Sequence, residues 1–141
     1  MDVGDDCPDA VFHDLQGNQH RISEFKGKYI LLDFWSSGCG GCIAAFPEMK
    51  QVYEQYADRI AIISMSIDTD RRWRQASEKH DITWNNWNEG KGTGGLYTRF
   101  PSGSGIPYYV LVNPEGKIEK QMLLGYTEGM FKTLFAELFN E

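Results

Sequence analysis

The stretch that most constrains this chain runs from Tyr29 to Tyr56. It begins with Tyr29-Ile-Leu-Leu-Asp-Phe-Trp35, apolar apart from Asp33. A short continuous apolar run suits a strand covered on both faces. Ser36-Ser37-Gly38 follows as a loop signal. Cys39-Gly-Gly-Cys42 then opens a segment in which Ile43, Phe46, Met49, Tyr53 and Tyr56 recur at helical spacing. A helix N-terminus carries partial positive charge and unpaired N–H groups. A thiol placed there ionises more readily, and the thiolate is the reactive form. The i, i+3 spacing brings the second sulfur onto the same face. Strand, loop, thiol pair and helix together describe a redox couple displayed at the end of a buried sheet.

A bare Cys-x-x-Cys is also often half of a zinc site, which takes four ligands. The other soft or nitrogen ligands are Cys7, His13, His20 and His80, and none forms a second closely spaced pair. Redox chemistry is therefore the better reading, and neither a metal nor a cofactor is expected. Three cysteines do not make a disulfide scaffold; they suggest one working pair and one spare.

The flanking sequence supplies an α/β frame. Residues 1–9 read as an irregular lead-in. Val11-Phe12 and His20-Arg-Ile22 flank a hairpin turn at Leu15-Gln-Gly-Asn18. Ser23 is placed to cap a short turn over Glu24-Phe25, ended by Gly27. The helix over 40–57 contains Pro47, which predicts a kink. Ile60 to Ile67 is a second buried-type strand, and 70–80 a helix. Thr83-Trp84 reads as a short strand and 85–95 as a polar, glycine-rich loop holding Trp87. Leu96 to Phe100 suits one helical turn. Tyr108–Val112, the turn Asn113-Pro-Glu-Gly-Lys117 and Ile118–Leu124 form a hairpin. Thr127 is placed to cap a last helix with Met130, Phe131, Leu134, Phe135 and Leu138 on one face. The fold class is α/β: a three-layer sandwich with a central mixed β-sheet flanked by helices and an N-terminal β-hairpin extension. With no linker or repeat, residues 1–141 read as a single domain.

Charge and hydropathy narrow the partners. A net charge of −6, and no basic run, argue against nucleic acid. No apolar stretch approaches the ~20 residues of a membrane span, so membrane insertion is not expected. The opening Met1-Asp-Val-Gly-Asp-Asp6 is acidic where a secretory leader is basic and then apolar. Two readings follow, a cytoplasmic protein or a mature domain without its leader.

Leu32-Asp-Phe-Trp-Ser-Ser-Gly-Cys-Gly-Gly-Cys42 resembles the active-site stretch of thioredoxin-fold proteins. The wider pattern is similar to the TlpA/ResA-like thiol–disulfide oxidoreductases, relatives of the peroxiredoxins. Gly4-Asp-Asp-Cys-Pro-Asp-Ala-Val-Phe12, Gly17-Asn18, Ile22-Ser-Glu-Phe-Lys-Gly-Lys28 and Gly105-Ile-Pro-Tyr-Tyr-Val-Leu-Val-Asn-Pro-Glu-Gly-Lys117 match that group's segments in order. The resemblance covers nearly the whole chain and implies a thioredoxin-like domain that reduces protein disulfides. It implies Cys39 as nucleophile, Cys42 as resolving thiol, and a cis Ile106–Pro107 bond beside them. The backbone of Ile106 would then pair with substrate as an added strand, with Pro107, Gly38 and Trp35 lining the same surface. Asp33, six residues before Cys39, would shuttle the proton of Cys42. Burial in so apolar a strand would raise its pKa; the alternative is an exposed strand face. The implied partners are protein disulfide or dithiol substrates and an upstream dithiol donor, the protein itself a monomer of the periplasm or cell envelope.

Three positions depart from that group. Gly38 stands where Trp is usual, which opens the site. Ala45 stands where some members carry a functional Glu, and Gly41 replaces the common Pro. Two other functions fit the thiols less well. Ser36-x-x-Cys39 faintly echoes a peroxiredoxin-like thiol peroxidase, but Leu32 stands where that chemistry expects Pro. A Cu(I)-binding metallochaperone would need a third soft ligand or a nearby His. Trp73, Trp84 and Trp87 read as local core, or as a wall for a partner. Cys7 reads as a free thiol.

Overall fold

The structure, a computed structural model, describes residues 2–100, 105–122 and 125–140. Among these, Val11–His13 (β1), Gln19–Arg21 (β2), Tyr29–Trp35 (β3), Ile60–Ser66 (β4), Asn85–Asn88 (β5), Tyr108–Val112 (β6) and Ile118–Met122 (β7) form one mixed sheet ordered β2-β1-β5-β4-β3-β6-β7. β3, β4 and β5 are parallel, joined through helices Gly40–Tyr56 (α1) and Asp70–Lys79 (α2). Both crossovers step in one direction across the sheet. A consistent right hand therefore places both helices on the same face. A third helix, Met130–Leu138 (α3), joins them there: Phe131 and Phe135 share a core with Leu31, Trp35, Met49 and Trp73. The opposite face buries Ile30, Leu32, Phe34 and Ile63. Short 3-10 helices, Ile22–Phe25 and Leu96–Arg99, cover it together with part of the lead-in.

The mixed sheet, the parallel pair flanking the thiols and the N-terminal hairpin agree with the expected α/β sandwich, with 3-10 helices as the second cover. Helix α1 runs unbroken through Pro47. Three local expectations are corrected. The strand lies at Asn85–Asn88, not at Thr83-Trp84, so Trp87 is buried in the sheet rather than set in a loop. The first 3-10 helix takes its cap from Asp9, whose carboxylate accepts from the N–H groups of Ile22 (2.8 Å) and Ser23 (3.3 Å). Helix α3 is not capped by the Thr127 side chain. Its N-cap is Gly129, at φ 86°, a left-handed conformation that glycine adopts freely. Residues 123–124, the end of the hairpin strand read from sequence, lie outside the described residues.

The cap of α3 comes from α1. Glu48, buried, accepts from the Tyr126 hydroxyl (2.7 Å) and the N–H groups of Gly129 (2.6 Å), Phe131 (2.8 Å) and Lys132 (3.2 Å). Burial pushes its pKa up, but these hydrogen bonds outweigh it and hold the carboxyl below its ordinary value. Glu48→Ala would take the acceptor from the buried Phe131 N–H and from three part-buried donors, a loss of about 3 kcal/mol. Because the folded pKa is lowered, that contribution is complete above the ordinary value and fades as pH falls through the folded one. Denaturant titrations should thus show a wide gap between wild type and variant at pH 7, narrowing below pH ~4.

The hairpin carries a second charge cluster. Both ring nitrogens of His20 face carboxylates, Nδ1 to Glu24 and Nε2 to Asp14, each at 2.7 Å. The ring stacks on Trp87 at 4.6 Å. Burial lowers the His20 pKa, yet its bonds to Asp14 and Glu24 prevail and the net shift is upward. Two carboxylate acceptors are best met by two N–H donors, which favours the imidazolium form. Its contribution is complete below pH ~6.5 and is lost as pH rises through the elevated folded value. Wild type should lose about 1 kcal/mol or less across that window, and His20→Phe should not. Thermal melts between pH 6 and pH 9 check this.

Candidate active site

The two cysteines sit at the seam between β3 and α1. Cys39 is the N-cap of α1, in extended conformation, and its Sγ accepts from the Cys42 N–H at 3.1 Å. The sulfur thus lies where the helix offers unpaired donors and positive partial charge. The two sulfurs are bonded to each other, with Cα atoms 5.2 Å apart. Their environments differ. Cys39 is half-buried and reachable, whereas Cys42 is 1% exposed, its sulfur 3.9 Å from the Phe34 carbonyl oxygen. An attacking and a resolving thiol need that asymmetry: one sulfur meets the substrate, the other meets only the first.

The loop before Cys39 is tied down from the segment that follows β4. The Ser37 N–H donates to the Asp68 carboxylate at 2.7 Å, and the Cys39 N–H donates to the Ser36 carbonyl at 3.1 Å. Gly38 is exposed. The Ile106–Pro107 bond is cis. It lies against the thiol pair, since a Cβ placed on Gly41 would stand 3.4 Å from Pro107 Cδ. Ile106 and Pro107 are half-buried at this surface. Trp35 is different. It is fully buried and packs edge-on to Phe46 at 5.1 Å, so it lies beneath the site rather than on its surface. The expectation that it lines the substrate surface is corrected accordingly.

Alternation along β3 sends Leu31, Asp33 and Trp35 to the helix-covered face, the layer that also holds Cys42. Asp33 is 0% exposed, which excludes the solvated strand face. Burial raises its pKa to about 7, against a lowering by a hydrogen bond from Ser64. Ser64 Oγ donates to Asp33 Oδ2 at 2.7 Å, and Trp84 Nε1 donates to Ser64 Oγ at 2.7 Å. Asp33 Oδ1 has no hydrogen-bond partner among the described residues. On its other side the ladder places Tyr109, whose hydroxyl also lacks one there. Burial, and then the nearby Asp33, push the Tyr109 pKa upward.

Sequence alone missed Ser64, Trp84 and Asp68 as parts of this site. One signal was present. Ser64 stands inside the otherwise apolar run Ile60–Met65, as Asp33 stands inside Tyr29–Trp35, and parallel pairing sets the two side by side. Cys7 stands apart. Burial, with Asp9 adding to it, pushes its thiol up to about 12, so it stays protonated and unreactive. Ala45 is buried, and Glu48 one turn further along is committed to α3, so α1 supplies no second acid to the thiols. Among the described residues no group of three or more His, Cys, Asp or Glu side chains could hold a metal ion. None of the described helices is long and apolar enough to cross a membrane.

Residues 3–124 match the AhpC/TSA family. The chain is 31% identical over 84 residues to the thiol-disulfide oxidoreductase ResA of Bacillus thuringiensis subsp. konkukian, covering 58% of this chain and 49% of that protein. A ResA from Bacillus cereus is 27% identical over 127 residues, 87% of this chain and 70% of the relative. The chain spans about half the length of the first of these. Among solved structures, the thioredoxin domain of a thiol-disulfide oxidoreductase from Bacteroides vulgatus is 30% identical. It superposes with a TM-score of 0.82 over 100% of this chain and 99% of its own. A thiol:disulfide interchange protein from Bacteroides sp. is 29% identical, with a TM-score of 0.84 over 100% and 92%.

Proposed function

The chain belongs to the AhpC/TSA family, in its TlpA/ResA-like thiol–disulfide oxidoreductase branch, and we propose that it reduces protein disulfides through the Cys39–Cys42 couple. The observation that carries this reading is the disulfide itself: one reachable sulfur at a helix N-cap bonded to one buried sulfur. In the reduced protein the Cys39 thiolate attacks a substrate disulfide. A mixed disulfide forms and the first substrate thiolate leaves. Cys42 gives its proton to Asp33, and its thiolate attacks Cys39 Sγ. The Cys39–Cys42 bond forms, the mixed disulfide breaks, and the second substrate thiolate leaves to be protonated by water. The protein ends oxidised by two electrons and the substrate reduced by two.

The substrate surface is the patch formed by Gly38, Ile106 and Pro107 around Cys39. Exposed Gly38 leaves the approach to the sulfur open, which suits extended protein segments more than one shaped small molecule. An upstream dithiol donor resets the couple, and the domain acts as a monomer without nucleic acid. The resemblance to the TlpA/ResA-like group supports the periplasm or cell envelope as its location, with the cytoplasm as the alternative. A peroxidase or a Cu(I) carrier is not favoured, because the relatives are thiol–disulfide oxidoreductases by name.

The test is the reduction potential of the pair, measured in thiol–disulfide buffers on a Cys7→Ser background, together with insulin reduction. A potential near roughly −270 mV, with turnover of insulin, is the expected result; one near roughly −120 mV would make the site an oxidant. Absence of a reversible couple would end the oxidoreductase reading.

A further inference from the structure

The polar groups beneath the thiols form a directed chain rather than a loose cluster. An indole N–H can only donate. Trp84 Nε1 donates to Ser64 Oγ at 2.7 Å and so occupies that oxygen as an acceptor. The single hydroxyl proton of Ser64 is then directed to its other neighbour, Asp33 Oδ2, also at 2.7 Å. Oδ2 is thereby held as an acceptor. Oδ1, with no partner among the described residues, is left as the oxygen that carries the proton when the carboxyl is neutral. All three side chains are buried, so water does not scramble the arrangement.

We propose that Ser64, oriented by Trp84, is a positioning residue for the redox reaction: it fixes Asp33 Oδ1 as the atom that takes the proton of Cys42 as the mixed disulfide is resolved. This rests on the relay reading of Asp33 and deepens it. The step balances within the site. Cys42 S–H loses its proton to Oδ1, its sulfur bonds to Cys39 Sγ, and the substrate sulfur leaves with the electron pair of the broken bond. Tyr109 from β6 lies beside this carboxyl, and Cys42 from α1 is buried in the same helix-covered layer. Glu48 and Tyr126 bear on it at one remove, through Tyr109. None of these is a cation, so among the described residues the Ser64 hydroxyl is the group that stabilises the carboxylate form.

The experiment uses the reduced protein on a Cys7→Ser background with 5,5′-dithiobis(2-nitrobenzoate). Cys39 releases one thionitrobenzoate, and Cys42 releases the second when it resolves the mixed disulfide. The second phase is followed from pH 5 to 10, alongside 13C NMR titration of the Asp33 carboxyl. Ser64→Ala removes a charge-assisted hydrogen bond. The Asp33 midpoint and the second-phase profile should then rise together by roughly one to two pH units. At pH 7 the second phase should slow about fivefold or more and recover at higher pH. Ser64→Thr, which keeps the hydroxyl, should restore the wild-type profile. Trp84→Phe should move both midpoints in the same direction by less.

An unmoved Asp33 midpoint in Ser64→Ala overturns the proposal, as does a second phase slowed equally at every pH. Where Ser64→Ala does not fold, Trp84→Phe decides in the same way, and an unmoved midpoint there overturns it. Asp33→Asn separates the two levels. If it leaves the second-phase profile as in wild type, the relay itself fails. If it abolishes the profile while Ser64→Ala shifts nothing, the relay stands and the positioning role falls.

Discussion

Asp33→Asn should make the protein more stable at pH 8 and a slower catalyst. In the folded state the carboxyl titrates at about 7, against 3.8 for an unperturbed aspartate. The folded protein therefore holds a proton that the unfolded chain releases. Stability is complete below the unfolded value and falls as pH rises toward the folded one. By pH 8 the accumulated loss is about 4 kcal/mol. An asparagine carries no charge and escapes it. Its amide N–H₂ inherits the unpartnered position of Oδ1 and gives part of the gain back. A net gain of about 2 kcal/mol or more at pH 8, vanishing near pH 4, is the expected outcome of urea titrations at both pH values. In the thionitrobenzoate assay the second phase should slow roughly tenfold to a hundredfold at pH 7, because the buried base is gone. A variant less stable than wild type at pH 8 would mean that burial does not raise the Asp33 pKa as described.

Cys42→Ser should stall the reaction halfway. Cys39 keeps its place at the N-cap of α1 and its exposure, so the first attack survives. Serine at position 42 cannot displace the substrate sulfur, and the mixed disulfide persists. Turnover of insulin should fall on the order of 10³-fold or more. Non-reducing electrophoresis and intact-mass spectrometry should show one substrate thiol per protein, released by dithiothreitol. Cys39→Ser should give neither turnover nor adduct, since Cys42 is 1% exposed. The contrast between the two variants assigns the roles. Equal trapping by both would mean that the buried sulfur reaches substrate, against the geometry.

How much of this was legible before folding varied with how local the cause was. β3, the Cys-x-x-Cys and α1 were readable because apolar runs, a loop signal and helical spacing lie within one short stretch. β5 was not. Asn85, Asn86 and Asn88 are poor strand formers, and their polarity reads as loop. Their partners come from elsewhere: Asn85 donates to the Ile62 carbonyl, Asn86 accepts from Trp73 Nε1, and Asn88 donates to the Asp68 carbonyl. The cap of α3 was hidden for the same reason, since Glu48 precedes Phe131 by 83 residues. Thr127 was the local candidate and the wrong one. At the site, the thiol pair and Asp33 stood out as unusual residues in their settings. Ser64 and Trp84 acquire meaning only when β4 is laid beside β3. Trp35, expected beside the site, lies beneath it because strand alternation turns it inward.

The bond between Glu48 and the first turn of α3 also makes the redox helix answerable to a distant part of the chain. A proteolytic nick between β7 and α3 would leave the catalytic cysteines covalently untouched. Once α3 drifts away, though, α1 is left with a carboxylate whose four donors have gone, less than two turns from Cys42. The same departure opens Glu48 to water and removes Phe131 and Phe135 from the core they share with Trp35 and Met49. Damage to this connection would thus reach the thiol-bearing helix through its packing, with both cysteines left chemically intact.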